Sequence, residues 1–111
     1  MAKFLLIYRD AAEQSTPPSP EEMQSFLAMW GEWFAQCGSA IVDGGDALAP
    51  TGRVLQGGSV VSDGPYVEGK EILGGYSVVQ AESYDAAVEI AKQCPIAKIG
   101  GNIEIREFMG Y

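Results

Sequence analysis

The chain has 111 residues, 47% of them hydrophobic and 20% charged, with a formal net charge of −8 and no histidine. That length suits one domain, spanning 1–111, because folding at this size buries roughly two thirds of the unfolded chain's surface. The acidic balance excludes nucleic acid and anionic membrane surfaces as partners, and the missing imidazole excludes histidine acid–base catalysis, serine–histidine triads and the usual zinc sites.

Lys3 to Tyr8 is apolar without alternation, the pattern of a strand buried on both faces and central in its sheet. Arg9 and Asp10 end this run, which is too short for a signal peptide or a membrane span, so the cytoplasm is the expected location. From Asp10 to Pro20 the chain turns polar, and Pro17, Pro18 and Pro20 predict a stiff loop bordering a cleft. Ser19-Pro20-Glu21-Glu22 carries a helix start: a serine cap, a proline at the first helical position and a glutamate that completes a capping box. Met23, Phe26, Leu27, Trp30, Phe34 and Cys37 then recur at helical spacing until Gly38, which predicts a helix over about 20–37 packed on a sheet. Trp33 is set outside that stripe and is expected to be exposed or at an interface.

Ala40-Ile41-Val42 reads as a short strand ended by Gly44-Gly45. Val54-Leu55-Gln56 and Ser59-Val60-Val61 flank Gly57-Gly58 as a hairpin with a two-residue turn. The run Asp63 to Glu71 follows, with three carboxylates and one ammonium beside a Gly-Pro turn. Gly64 to Lys70 has the spacing of a phosphate-binding loop, but Glu71 stands where a hydroxyl belongs, Pro65 removes an N–H donor, and a strand follows instead of a helix. Nucleotide binding is therefore rejected.

Ile72 to Val79 is a second strand apolar on both faces, with Gly74-Gly75 marking a bulge or a close approach of backbone. Ser83 caps a second helix through Ala87, Ile90, Ala91 and Cys94, which Pro95 is expected to end. The last strand is Ile103 to Phe108, with Ile103 and Ile105 on one side and Glu104 and Arg106 on the other. Cys37 and Cys94 have no neighbouring metal ligands and read as reduced packing residues. Asp43-Gly44-Gly45-Asp46 lacks the length and oxygen count of a calcium loop, so neither metal nor cofactor is expected.

Strand, helix, strands, helix, strand predicts an α+β fold, a ferredoxin-like antiparallel sheet with two helices on one face. Two helices leave the other face bare although both central strands are apolar there, so a homodimer is expected to cover it. The opening Lys3 to Tyr8, the Ser19 to Glu22 helix start, the Asp63 to Glu71 run, Gly74-Gly75-Tyr76, Cys94-Pro95 and Glu104-Ile105-Arg106 together resemble the YCII-related proteins of the DGPF branch. Tyr66 stands where that branch usually has phenylalanine. The resemblance covers nearly the whole chain and implies a dimeric α+β barrel. Relatives of the YciI type are associated with a histidine–aspartate pair, which a chain without histidine does not carry. It also implies, by association, a regulatory link to an extracytoplasmic-function sigma factor.

Asp63 has two readings: a turn residue bonding the backbone, or a partly desolvated carboxylate with a raised pKa that acts as a base. Lys70 is its companion as electrophile or anion clamp, the minimal pair for chemistry without metal or histidine. Tyr8, Tyr66, Glu68, Glu71, Tyr76 and Arg106 are the candidate ligand-binding residues around a cleft near the 63–71 loop. The functional expectation is small-molecule binding or a metal-independent enzyme. The alternative is a regulatory interaction module that presents an acidic surface to a sigma factor's basic face.

Overall fold

The computed structural model describes residues 1–11 and 17–110. In chain order the elements are β1 (Ala2–Ala11), α1 (Pro20–Cys37), β2 (Ile41–Asp43), β3 (Arg53–Gln56), β4 (Val60–Asp63), β5 (Val67–Glu68), β6 (Glu71–Ala81), α2 (Tyr84–Lys92), α3 (Pro95–Lys98) and β7 (Ile103–Glu107). Since β1 runs on to Ala11, the proline-rich loop begins later than Asp10, and the cleft border expected between Asp10 and Pro20 falls largely on positions 12–16, outside the described residues.

The main sheet has the order β2-β6-β1-β7 with antiparallel neighbours, and β5 adds to the start of β6. With the β3–β4 hairpin set aside as an insertion, this is the βαββαβ connection of a ferredoxin-like α+β fold. The two strands without hydrophobic alternation, β1 and β6, take the centre of the sheet, with one face under the helices and the other left open. On the helix side Phe4, Leu6 and Tyr8 lie opposite Val79, Ser77 and Gly75. Trp33, Ala87, Ala91 and Cys94 close this core from above.

Helix α1 starts as its sequence dictates. Ser19 Oγ accepts from the Glu22 N–H at 3.1 Å and Glu22 Oε1 accepts from the Ser19 N–H at 3.3 Å, so two otherwise unpartnered donors are satisfied. Trp33 corrects the expectation of an exposed indole, because it is 1% exposed and its N–H donates to the Ile90 carbonyl at 3.1 Å. Seven residues along a helix drift only about 20°, so Trp33 shares the face of Phe26, while Met23 and Leu27 point to solvent. Trp30 then touches Tyr8, Phe26, Trp33 and Phe34 edge-on or tilted, at centroid distances of 5.4 to 6.0 Å.

Ser83 Oγ caps α2 through the Ala86 N–H at 3.1 Å, but the helix stops at Lys92. Pro95 opens α3 instead of ending α2, since its fixed φ is already helical and its missing N–H is not needed there. Cys37 and Cys94 are free, and burial pushes both thiols up, as suits packing residues.

The β3–β4 hairpin has a three-residue loop, not the expected two: Gln56 pairs with Val60, and Ser59 N–H closes the turn on the Gln56 carbonyl at 3.2 Å. In β6 the bulge is Gly74, skipped between the pairs Tyr8–Gly75 and Arg9–Leu73; a Cβ there would lie 2.8 Å from Asp10 Cβ. Gly45 has φ +75°, and a Cβ on it would fall on the Tyr76 carbonyl.

The described residues measure 43 × 41 × 20 Å, the thickness of one sheet and one helix layer. No helix among them is long and apolar enough to cross a membrane.

Candidate functional site

Residues paired across neighbouring strands share a face of the sheet, so register fixes what the helix-free side presents. One row is Val78–Leu5–Arg106 and the next is Tyr76–Ile7–Glu104, each running from β6 through β1 to β7. Beyond them Leu73 pairs with Arg9. The face is therefore an apolar floor of Leu5, Ile7, Tyr76 and Val78 with charged groups along its β7 side. Ile7 is only 8% exposed, and Leu5, Tyr76 and Val78 are half-buried with no layer of the described residues above them.

The charged groups form one arrangement. An Arg9 guanidinium nitrogen lies 2.8 Å from Glu104 Oε1, and an Arg106 nitrogen lies 3.5 Å from Glu104 Oε2. The Arg9 hydrogen bond, supported by the charges of both arginines, holds the Glu104 carboxyl below the usual range for glutamate. Reciprocally, the Glu104 bond holds Arg9 above its ordinary value, with Glu68 and Glu71 adding to the field. Asn102 orders this corner: its side-chain amide donates to Glu71 Oε2 at 3.0 Å, and its backbone carbonyl accepts from the Arg9 backbone N–H at 3.2 Å.

A shallow groove of about 340 Å³ opens beside the 63–71 loop, lined chiefly by Leu48, Thr51, Arg53, Pro65, Tyr66 and Leu73. Its walls are tied by backbone bonds from Leu48 N–H to the Gly74 carbonyl at 2.8 Å and from Gly64 N–H to the Gly52 carbonyl at 2.9 Å. Because Leu73 is the cross-strand partner of Arg9, the groove continues the end of the open face.

Asp63 lies at the end of β4, 93% exposed in its side chain, with Oδ1 3.2 Å from Nε of Arg53 opposite. It has neither the desolvation nor the turn bond expected from its place in the sequence. The side-chain turn bond is made by Asp43, which accepts from the Gly45 N–H at 2.8 Å. Lys70 sits in the exposed turn between β5 and β6, and Tyr66 is 67% exposed at the groove. Glu68 and Glu71 pair across that turn within the field of Arg9. Tyr76 and Arg106 are on the open face.

Tyr8 is on the opposite side. Its hydroxyl donates to Ser77 Oγ at 2.7 Å, which in turn donates to the Gly44 carbonyl at 2.8 Å, and burial pushes the phenol's pKa up. It is a core tyrosine, packed on the helix side among the described residues. The fold thus brings Glu68, Glu71, Tyr76 and Arg106 together with Arg9, Glu104 and Asn102, and leaves Asp63, Lys70 and Tyr8 elsewhere. The sequence offers Arg9, with Arg53 and Arg106, as a guanidinium able to clamp an anion in a cleft, but it does not mark Glu104 and Asn102, and the outward alternation of Glu104 and Arg106 is the one visible signal for Glu104.

Fold and site define a ferredoxin-like α+β domain whose sheet keeps one face, apolar with a charged rim, outside its own core. The chain belongs to the YCII-related family, whose domain pattern matches residues 4–109. Among solved structures it is similar to 5-chloro-2-hydroxyhydroquinone dehydrochlorinase from Burkholderia phenoliruptrix AC1100 in complex with 2,5-dihydroxybenzoquinone. That likeness covers 96% of this chain and 92% of the other, at 18% identity and a TM-score of 0.52, and it is a likeness of fold. No curated protein sequence matches the chain.

Proposed function

We propose that this YCII-related domain binds a small organic molecule over the open face of its sheet, in a cavity that a second copy of the chain completes. The observation that carries the reading is the bare apolar floor of Leu5, Ile7, Tyr76 and Val78 beside the Arg9–Glu104–Arg106 rim. A floor of that kind, with a few convergent polar groups, is the usual composition of a ligand site. The solved relative's bound hydroxyquinone fits a planar ligand class. The polar groups in reach of the floor are the Glu104 carboxylate, the Arg9 and Arg106 guanidiniums and the Tyr76 phenol, and with Glu104 held low by its arginines they suit binding and orienting a polar ligand. The groove near the 63–71 loop is the entrance, and the Asp63-Gly64-Pro65-Tyr66 run supports the DGPF branch.

A second copy is the cover that the shape supports. The Cα radius of gyration is 15.4 Å, against about 13 Å for a compact chain of this length. The β3–β4 hairpin forms its own two-stranded sheet with Leu55, Val60 and Val61 exposed, and such a hairpin is marginal in water unless something packs on it. The acids of the helix layer, such as Glu21, Glu22, Glu32, Asp85 and Glu89, belong to α1 and α2, away from this side, and the open face mixes both signs of charge.

The test is a calorimetric titration with 2,5-dihydroxybenzoquinone of wild type, Val78→Glu on the open face and Leu27→Glu on the exposed side of α1. Binding to wild type and Leu27→Glu but not to folded Val78→Glu supports the reading. Equal binding by all three, or by none, contradicts it.

A further inference from the structure

The charges on the open face are unevenly placed, with the carboxylates gathered at the Arg9 end. Arg9 is answered by Glu104 at 2.8 Å, with Glu68 and Glu71 in its field. Arg106 reaches only the second oxygen of that same carboxylate, at 3.5 Å, and its side chain stays 68% exposed. One carboxylate thus serves two guanidiniums, and the outer one keeps most of its hydrogen-bonding capacity. Lys3 stands two residues from Leu5 on β1, and Leu5 is the cross-strand partner of Arg106, so Lys3 and Arg106 are diagonal neighbours on this face. No ion pair of Lys3 occurs among the described residues. Glu107 follows Arg106 but pairs with Phe4, on the other side of the strand. In a chain of net charge −8, the end of the apolar floor beside Leu5 and Val78 therefore carries two cationic side chains, Lys3 and Arg106, while the carboxylates Glu68 and Glu71 gather at the Arg9 end.

We propose that the open face selects planar carboxylates: Arg106, with Lys3, takes the carboxylate as a charge-assisted and in part bidentate pair, and Leu5, Ile7, Val78 and the Tyr76 ring take the apolar body. Arg9 acts as a positioning residue that holds Glu104, and through it the Arg106 fork, in place. This inference deepens the functional reading above and rests on it.

The probes are 2-naphthoate and the uncharged, nearly isosteric 2-naphthamide, followed by methyl NMR of Leu5, Ile7 and Val78 and by calorimetry. In wild type the carboxylate is expected to bind at least tenfold more tightly than the amide, with both moving those three methyl signals. Arg106→Gln is expected to bring naphthoate down to the level of naphthamide, Arg106→Lys to restore part of the difference, and added salt to weaken only the carboxylate. Equal affinity for the two probes in wild type, or naphthoate binding unchanged in Arg106→Gln, overturns the carboxylate assignment while leaving the face a ligand site. If neither probe moves the Leu5, Ile7 and Val78 signals, or if naphthoate does not, both readings are overturned.

Discussion

The buried relay Tyr8–Ser77–Gly44 gives a sharp test of how the helix side of the sheet is held. Ser77 is 0% exposed and Tyr8 6% exposed, and the serine hydroxyl both accepts from the phenol and donates to the Gly44 carbonyl. Ser77→Ala removes both functions and leaves a phenol O–H buried without an acceptor, a loss of about 2 kcal/mol. Tyr8→Phe is milder at about 1 kcal/mol, because Ser77 keeps its bond to Gly44 and loses only a donor. The double variant no longer contains the orphaned phenol, so it should cost about 2 kcal/mol, not the sum, a coupling of about 1 kcal/mol. Urea unfolding followed by the fluorescence of Trp30 and Trp33, at one fixed protein concentration, measures all three. Strictly additive losses, or a Ser77→Ala loss below about 0.5 kcal/mol, would refute the relay. Its pH signature has a fixed sign. Burial raises the phenol's pKa, so its contribution is complete below the unfolded value of about 10 and declines above it, a decline that Tyr8→Phe lacks.

Trp33→Ala should cost about 3 to 5 kcal/mol, whereas Leu27→Ala on the solvent side of α1 should stay within about 0.5 kcal/mol; paired denaturation curves check the orientation of the helix. Gly45→Ala should lose about 2 kcal/mol or more, from positive φ and the collision with the Tyr76 carbonyl, and a neutral result would contradict the close approach at β6. For Glu104→Gln the sign follows from a carboxyl held low by Arg9: wild type is the more stable protein above the unfolded value of about 4.3, and the gap closes as pH falls through the folded value. A gap that is constant between neutral and acid pH would show that the Arg9 pair has no influence on the carboxyl.

Local signals were legible in the chain because they are completed within a few residues. Ser19, Pro20 and Glu22 define a helix start among themselves, and the unbroken apolar runs of β1 and β6 announce central strands. Gly74 declared its bulge because little else in a strand omits a side chain there. Trp33 was misjudged although the information was local, since a spacing of seven places it with Phe26, whereas the stripe was traced through Met23 and Leu27, which face water. The site was hidden for a different reason. Arg9 and Glu104 are 95 positions apart, and only the register of β1 against β7 sets them on one face. The Asp63 to Glu71 run attracted attention by its composition, yet a carboxylate on a two-stranded hairpin has nothing to desolvate it in its own chain.

The open face is proposed as the surface where two copies meet around a ligand. Intermolecular NOE measurement on a mixture of methyl-labelled and differently labelled chains tests it most directly. Contacts between copies from the Leu5, Ile7 and Val78 methyls are the predicted result. A monomer at all concentrations, or contacts arising from Leu27 and Ile99 on the helix side, would contradict it.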